Sequence, residues 1–381
     1  MIPMAERLNP FPRYRQMRRM APLLQDPQSG VWSAFSYDAV QRVLSDYEHF
    51  FSGDGEHHPE DMGPGASIIG MNPPDHRKMR DLVSRAFTPK AVQNLGERIR
   101  AIIDHQLEEP MARGSMEVVG ELTYPLPVIV IAEMLGIPAA DRDQFKVWSD
   151  MVVAGTDNHV SGYEGTRAMN AYFAKVVAER RQHLGEDLIS SLIEAEVGGE
   201  KLTDPEIISF CDLLLVAGNE TTTNLITNAV WTFSELPEVW EALRAEPARI
   251  PAAIEEVLRF RSPVQAMFRS VRVPMEWEGK HLRPGETVIA WIGSANRDEK
   301  KFPDPDTFNM DRRPNQHIAF GYGIHYCLGA PLARLEARLA LEALVERGVQ
   351  RFRPLLPKEQ WEPVGGFIVY GVKRLPIAWE S

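Results

Sequence analysis

Phe320-Gly321-Tyr322-Gly323-Ile324-His325-Tyr326-Cys327-Leu328-Gly329, followed by Ala330-Pro331 and an amphipathic run to Glu346, decides how the rest of the chain reads. It sets Cys327, one of only two cysteines, on a glycine-rich loop immediately before a helix start. Gly321, Gly323 and Gly329 allow a tight turn and a close backbone approach to a flat partner, where a Cβ would collide. Pro331 belongs in the first helical turn, whose unpaired N–H groups carry partial positive charge towards the sulfur. Such a setting favours a thiolate, the form of cysteine that binds metal. A lone cysteine is ordinarily a small buried hydrophobe. Three glycines, a histidine two positions before the cysteine and an abrupt helix start argue for a metal ligand instead.

Working outward, the 381 residues would by length suggest two or three domains. Proline and glycine are scattered, however, with no linker, low-complexity tract or internal repeat, so the expectation is one domain over residues 1–381. A formal net charge of −11 argues against nucleic acid and against a polybasic membrane surface. Cys211 and Cys327 allow one bridge at most, which fits a reducing, cytoplasmic setting. The start of the chain, broken by Pro3, Pro10 and Pro12, has no apolar stretch of the signal-peptide kind. The most apolar run, Leu126 to Leu135, is about half the length of a membrane span, so no membrane anchor is expected.

Helical periodicity predicts helices over 37–46, 75–86, 90–108, 116–135, 141–154, 163–183, 185–195, 204–235, 238–245, 249–260 and 331–346. Strand-like segments cluster at Val31–Phe35, Phe268–Val273, Thr287–Ile292 and in the tail from Phe367 to Ile377. Helices and strands do not alternate. That excludes a doubly wound sheet and predicts a mainly α fold with a small separate β region.

Residues 320–329 resemble the haem-binding signature of the cytochrome P-450 family, Phe-x-x-Gly-x-x-x-Cys-x-Gly, in the form with Gly-x-His-x-Cys. The resemblance covers nearly the whole chain. It implies the cytochrome P-450 fold, a single large domain with a long central helix, and Cys327 as axial thiolate ligand of the iron of haem b. Phe320, Gly321, His325 and Gly329 would surround the cofactor. Thiolate ligation in this family pushes electron density to the iron and favours O–O cleavage, an effect for which the family is the standard example. The run Ala217 to Ile226 and the short connection Ala154–Gly162 are also similar to those of compact thermophilic members.

The helix predicted over 204–235 opens on Thr203-Asp204-Pro205-Glu206 and ends at Leu236-Pro237, with a cap at one end and a breaker at the other. At 1.5 Å per residue it is roughly 48 Å long, enough to cross a domain. Midway lies Ala217-Gly218-Asn219-Glu220-Thr221-Thr222, a poor sequence for a buried helix. One reading is a kink in which threonine hydroxyls bond back to carbonyls. The other is a local opening that admits water and dioxygen. The segment resembles the family's oxygen-activation motif, which implies Glu220 as acid and Thr221 as hydroxyl, with Ala217 and Gly218 beside the oxygen pocket. Reducing dioxygen as far as water takes protons, and a solvent-reachable carboxylate with a short alcohol meets that need.

Glu256 and Arg259, at i,i+3, share a helix face. Such a pair is ordinarily solvated, but its position ahead of Cys327 resembles the family's Glu-x-x-Arg motif. The segment Phe302–Arg312 resembles the part that completes its network. Glu256, Arg259 and Arg312 are therefore expected to be structural. Haem propionates need cationic or donor partners, for which His76, Arg80, Arg269 and His325 stand at family positions. His57 and His58 lack a third ligand and are not read as a metal site. Arg77, Lys78, Arg80, Arg85, Arg334 and Arg338 suggest a basic patch for an acidic ferredoxin.

The resemblance implies a monooxygenase that inserts one oxygen atom from O2 into an apolar organic substrate, with electrons from a separate ferredoxin and reductase. Two alternatives stand beside it. A hydrogen-peroxide-driven peroxygenase would usually lack the acid–alcohol pair that Glu220 and Thr221 provide, and a haem-thiolate gas or redox sensor would not need it. The substrate wall is expected from the loop 53–71, residues 150–165 and apolar positions elsewhere, among them Leu214, Val264, Met267, Val364 and Phe367.

Overall fold

The structure, a computed structural model, describes residues 2–53, 67–141, 144, 147, 148, 151 and 159–380. His57, His58, most of the predicted helix 141–154 and most of the connection Ala154–Gly162 lie outside them. The described helices are α1 (Phe11–Met20), α2 (Tyr37–Ser45), α3 (Asp75–Ala86), α4 (Pro89–Asn94), α5 (Gly96–Arg113), α6 (Pro125–Met134) and α7 (His159–Gln182). They continue with α8 (Leu188–Glu194), α9 (Asp204–Glu235), α10 (Pro237–Ala245), α11 (Ile250–Phe260), α12 (Ile292–Ala295) and α13 (Ala330–Glu346).

α9 is the axis of the fold. Its capping box forms as the sequence predicts: Thr203 Oγ1 accepts from Glu206 N at 3.4 Å, and Glu206 Oε2 accepts from Thr203 N at 2.7 Å. Helices α6, α7 and α13 pack along it. Every residue from Thr222 to Phe233 is buried, polar ones included, so each polar side chain there needs a partner. Thr227 and Thr123 hydroxyls meet at 2.8 Å, Thr223 donates to Thr123 O, and Asn228 donates to the carbonyls of Arg261 and Tyr370. These bonds fix the register of α9 against its neighbours in a way that apolar contacts alone would not.

The strands are β1 (Leu23–Gln25), β2 (Trp32–Ala34), β3 (Phe50–Phe51), β4 (Ser115–Glu117), β5 (Glu196–Val197), β6 (Glu200–Lys201), β7 (Met267–Val271), β8 (Met275–Trp277), β9 (Lys280–Leu282), β10 (Thr287–Ala290), β11 (Arg351–Pro354) and β12 (Pro376–Glu380). The main sheet has the order β1-β2-β10-β7-β3, with β10 parallel to β2 and antiparallel to β7. A second sheet, β11-β12-β4, joins the chain's last strand to residues far upstream.

Four local expectations change. Residues 116–135 are not one helix: β4 pairs with β12, a π-helical turn follows at Val119–Thr123, and α6 starts only at Pro125. Helix 90–108 is two, α4 and α5, meeting at Leu95. The tail is a strand only from Pro376; upstream it contributes isolated bridges such as Val264–Val369. Helix α1 lacks a strong apolar stripe, Tyr14 being its one buried residue, and was not predicted.

Candidate active site

A cavity of about 300 Å³ lies between α9, α13, α3, β7 and the cysteine loop. Cys327 lines it. The loop closes on itself through Cys327 N to Phe320 O at 2.9 Å and Tyr326 N to Gly323 O at 3.1 Å. Gly323 has φ +74°, and a Cβ there would sit 3.0 Å from the backbone of Leu44 and Ser45 at the end of α2. Its glycine is therefore demanded by α2 as well as by conformation. Gly329 has φ −78°, and a Cβ would meet the sulfur at 3.9 Å, an ordinary contact.

The backbone N–H groups of Gly329 and Ala330 point at Cys327 Sγ, as the helix start implies. Burial nevertheless dominates and raises the thiol above its ordinary value, with those N–H groups, Arg80 and Arg334 opposing. The expectation that the helix end alone favours a thiolate is thus corrected. A metal bound at the sulfur would favour the deprotonated form.

On one side of the cavity, His76, Arg80, Arg269 and His325 converge from α3, β7 and the cysteine loop. The two imidazoles lie 4.2 Å apart between ring centres. His325 Nε2 meets Ser52 Oγ at 2.9 Å, whereas the buried Nε2 of His76 has no partner. Burial pushes Arg269 down to about 10 and His325, aided by Arg269, His76 and Arg80, down to about 3. Burial likewise lowers His76, helped by Arg80 and Arg269. Among the described residues no carboxylate pairs with Arg80 or Arg269. Four nitrogen bases around one cavity, one of them orphaned, fit a ligand that brings two carboxylates of its own.

α9 presents Leu213, Leu214, Ala217, Gly218, Thr221 and Thr222 to the same cavity. The helix is unbroken through this stretch. Instead of a gap it shows one shared carbonyl: Thr221 Oγ1 donates to Ala217 O at 2.7 Å. Gly218 has a packing reason, since a Cβ there would fall 2.8 Å from Ile131 Cδ1 of α6. Glu220 precedes Thr221 but does not line the cavity.

Behind the cysteine loop, fully buried Glu256 takes Arg259 in a two-point pair at 2.7 and 2.8 Å, with Arg312 Nε at 3.2 Å and Asn309 N at 2.9 Å. The arginines reach on to the carbonyls of Asn296, Pro303, Asp304, Pro305 and Thr307. This ties α11 to the extended segment that leads into the loop. The basic patch, by contrast, is largely neutralised: Lys78 pairs with Glu200, Arg334 with Glu255, and Arg338 with Glu342, while Arg80 turns into the cavity.

Of the expected substrate wall, Leu214, Val264 and Met267 line the cavity, together with Ile68 and Ile69. Val364 and Phe367 do not. They line a separate small space beside Tyr14 and Tyr370, where Phe367 packs on Trp291 and Phe268. The segments 54–66 and most of 150–158 are outside the described residues. Among the lining residues that the sequence does not single out, one is charged. Glu336 of α13 is fully buried, has one oxygen without a partner, and is pushed up to about 8 by burial. Its signal was a glutamate four residues after Leu332 and four before Ala340, on the face that should be apolar.

The family model for cytochrome P450 matches residues 156–364. A putative cytochrome P450, YjiB of Bacillus subtilis (strain 168), is 43% identical over 378 residues, covering 97% of this chain and 93% of that protein. The chain belongs to the cytochrome P450 family. The crystal structure of the P450 CYP109E1 from Bacillus megaterium, in complex with testosterone, shares 42% identity at a TM-score of 0.90, covering 98% of this chain and 100% of that one. The erythromycin C-12 hydroxylase of Saccharopolyspora erythraea is 40% identical, covering 95% of this chain and 92% of that protein. The P450 fold is therefore as expected, and the chain is an enzyme of the P450 monooxygenase class. A haem-thiolate centre goes with the family, and the cysteine, the partnerless Nε2 of His76 and two arginines that meet no carboxylate among the described residues fit it. Among the described residues no helix is long and apolar enough to cross a membrane.

Proposed function

We propose that this P450 is a cytoplasmic monooxygenase that uses dioxygen, haem b and a separate ferredoxin-type electron donor to oxidise an apolar organic molecule. The observation that carries the reading is one cavity lined both by Cys327 of the loop and by Thr221 of α9. Haem bound there supplies the redox-active iron at which dioxygen is reduced and one atom is passed to substrate.

The residues then divide the work. Cys327 Sγ would hold the iron, with the Gly329 and Ala330 N–H groups directed at the sulfur. Arg80, Arg269, His76 and His325 hold the propionates. Glu256, Arg259 and Arg312 brace the approach to the loop. Thr221 keeps its hydroxyl proton parked on Ala217 O and turns it into the cavity when an acceptor arrives. Glu220, one residue earlier, resupplies that proton from outside the cavity. Leu213, Leu214, Val264 and Met267 exclude water and hold the substrate. Relatives crystallised with testosterone or named for erythromycin support a roomy apolar chamber of this kind.

The test has two steps. Purified protein must give a thiolate-type carbon monoxide difference spectrum that Cys327→Ser abolishes. A bound compound must then drive oxygen uptake with NADH, ferredoxin and reductase. Equal turnover with hydrogen peroxide alone would overturn the dioxygen reading.

A further inference from the structure

We propose that Gln265, which does not touch the cavity, determines substrate specificity by fixing the cavity wall, and that Tyr14 of α1 locks it in place. The inference rests on the proposed function in one respect, that the space bounded by Val264, Met267 and Ile292 holds the substrate.

Val264 and Met267 face the cavity; between them Gln265 and Ala266 face away, into a buried cluster with Tyr14, Phe35 and Trp291. Gln265 is 2% exposed, and each end of it is bound. Its N–H donates to Ile368 O at 2.6 Å, and its carbonyl accepts from Gly293 N at 3.1 Å. Its Nε2 donates to Ser262 O at 2.7 Å, and its Oε1 accepts from the Tyr14 hydroxyl at 2.9 Å. The amide is pressed so closely on α12 that a Cβ at Gly293 would stand 2.0 Å from Oε1. Ile292, the neighbour of Gly293, is itself a wall residue. One side chain therefore gathers the supports of three wall residues.

Tyr14 is a rigid anchor for this node. It is 1% exposed, its ring lies against Trp291 at 5.6 Å, and α1 is clamped to α12 by Arg18, which donates to Ser294 O, Ser294 Oγ and Arg297 O. Without the tyrosine hydroxyl, Oε1 becomes a buried acceptor with nothing to accept, and the amide must turn to find a donor. Turning it moves the backbone that carries Val264 and Met267. Tyr14→Phe keeps the ring and its packing, so the fold is preserved while the lock is opened.

The experiment uses the purified haem protein and two azoles. Imidazole reads only the metal, and 4-phenylimidazole reads the metal and the wall. In Tyr14→Phe, and in Gln265→Leu, the ratio of the two dissociation constants should change about threefold or more while imidazole alone stays within about twofold. The double variant should show less than the sum, because the pair acts as a unit. In parallel, hydrogen exchange at the Gln265 amide should accelerate in Tyr14→Phe. An unchanged ratio in a wild type that discriminates between the azoles overturns the inference. A wild type that binds neither azole overturns the proposed function instead, and the exchange arm then decides the lock: unchanged protection at Gln265 refutes it.

Discussion

Arg334 of α13 grips Glu255 of α11 with two hydrogen bonds, Nε to Oε1 at 2.7 Å and Nη2 to Oε2 at 2.9 Å, one residue away from the fully buried Glu256 network. His317 Nε2 adds a third contact at 3.1 Å. Burial raises the Glu255 carboxyl, but the bonds from His317 and Arg334 outweigh it and bring the group down to about 2. A carboxyl lower in the folded than in the unfolded chain stabilises above its ordinary value and ceases to do so as pH falls towards 2. Unfolding measured between pH 5 and 2 should therefore show Glu255→Gln losing its disadvantage, about 1–2 kcal/mol near neutrality after allowance for partial exposure. A difference independent of pH would disprove the assignment.

Glu256 and Arg259 are both fully buried, a setting in which removing one partner strands the other. Arg259→Ala should destabilise the protein by about 3–5 kcal/mol, seen in denaturant titration. Haem retention should fall with it, because the segment 296–312 that leads into the cysteine loop is held by the same guanidinium. Full stability in this variant would mean that the network is ornamental.

Thr221→Ala removes the hydroxyl that shares Ala217 O without altering the helix. Substrate affinity should stay within about twofold, since the apolar lining from Leu213, Leu214 and Ala217 remains. The fraction of NADH converted into product should fall, with hydrogen peroxide appearing in its place. Unaltered coupling would assign the proton to another group.

Glu336 is the opposite case to Glu255. Nothing charged offsets its burial, so the folded carboxyl stays protonated up to about pH 8 while the unfolded one ionises near its ordinary value. The folded chain therefore binds the extra proton, and stability declines as pH rises between those two values. Glu336→Gln should be more stable than the wild type by an amount that grows from pH 5 to pH 8, on the order of 1–3 kcal/mol at the upper end. Parallel stability curves for the two proteins would contradict this.

What could be read in the sequence was whatever is settled locally. The capping box at Thr203 and Glu206, the stop at Pro237, the cysteine loop and the spacing of Glu256 to Arg259 all involve neighbours within a few residues, and all formed. Illegible features depended on distant partners. β4 exists because Met116 lies against Ile377, and α1 because Tyr14 finds Gln265 251 residues away. Gly218 reads as chemistry in the sequence, whereas its close neighbour, the Cδ1 of Ile131 on α6, is visible only in the fold. Val364 and Phe367 qualify for the substrate wall as apolar positions, but the irregular tail sets both in a separate space beside Tyr14 and Tyr370, with Phe367 against Trp291. The acidity of Cys327 depended on how far burial outweighs a helix end, a balance no motif encodes.

β12 has a temporal implication. Among the described residues Ser115–Glu117 pairs with a strand far downstream, Pro376–Glu380, and Tyr370 O–H reaches back to Leu8 O. A nascent chain must keep the edge at Met116 uncovered until Ile377 has been made, which makes stalling or truncation between the two the natural hazards for its biogenesis.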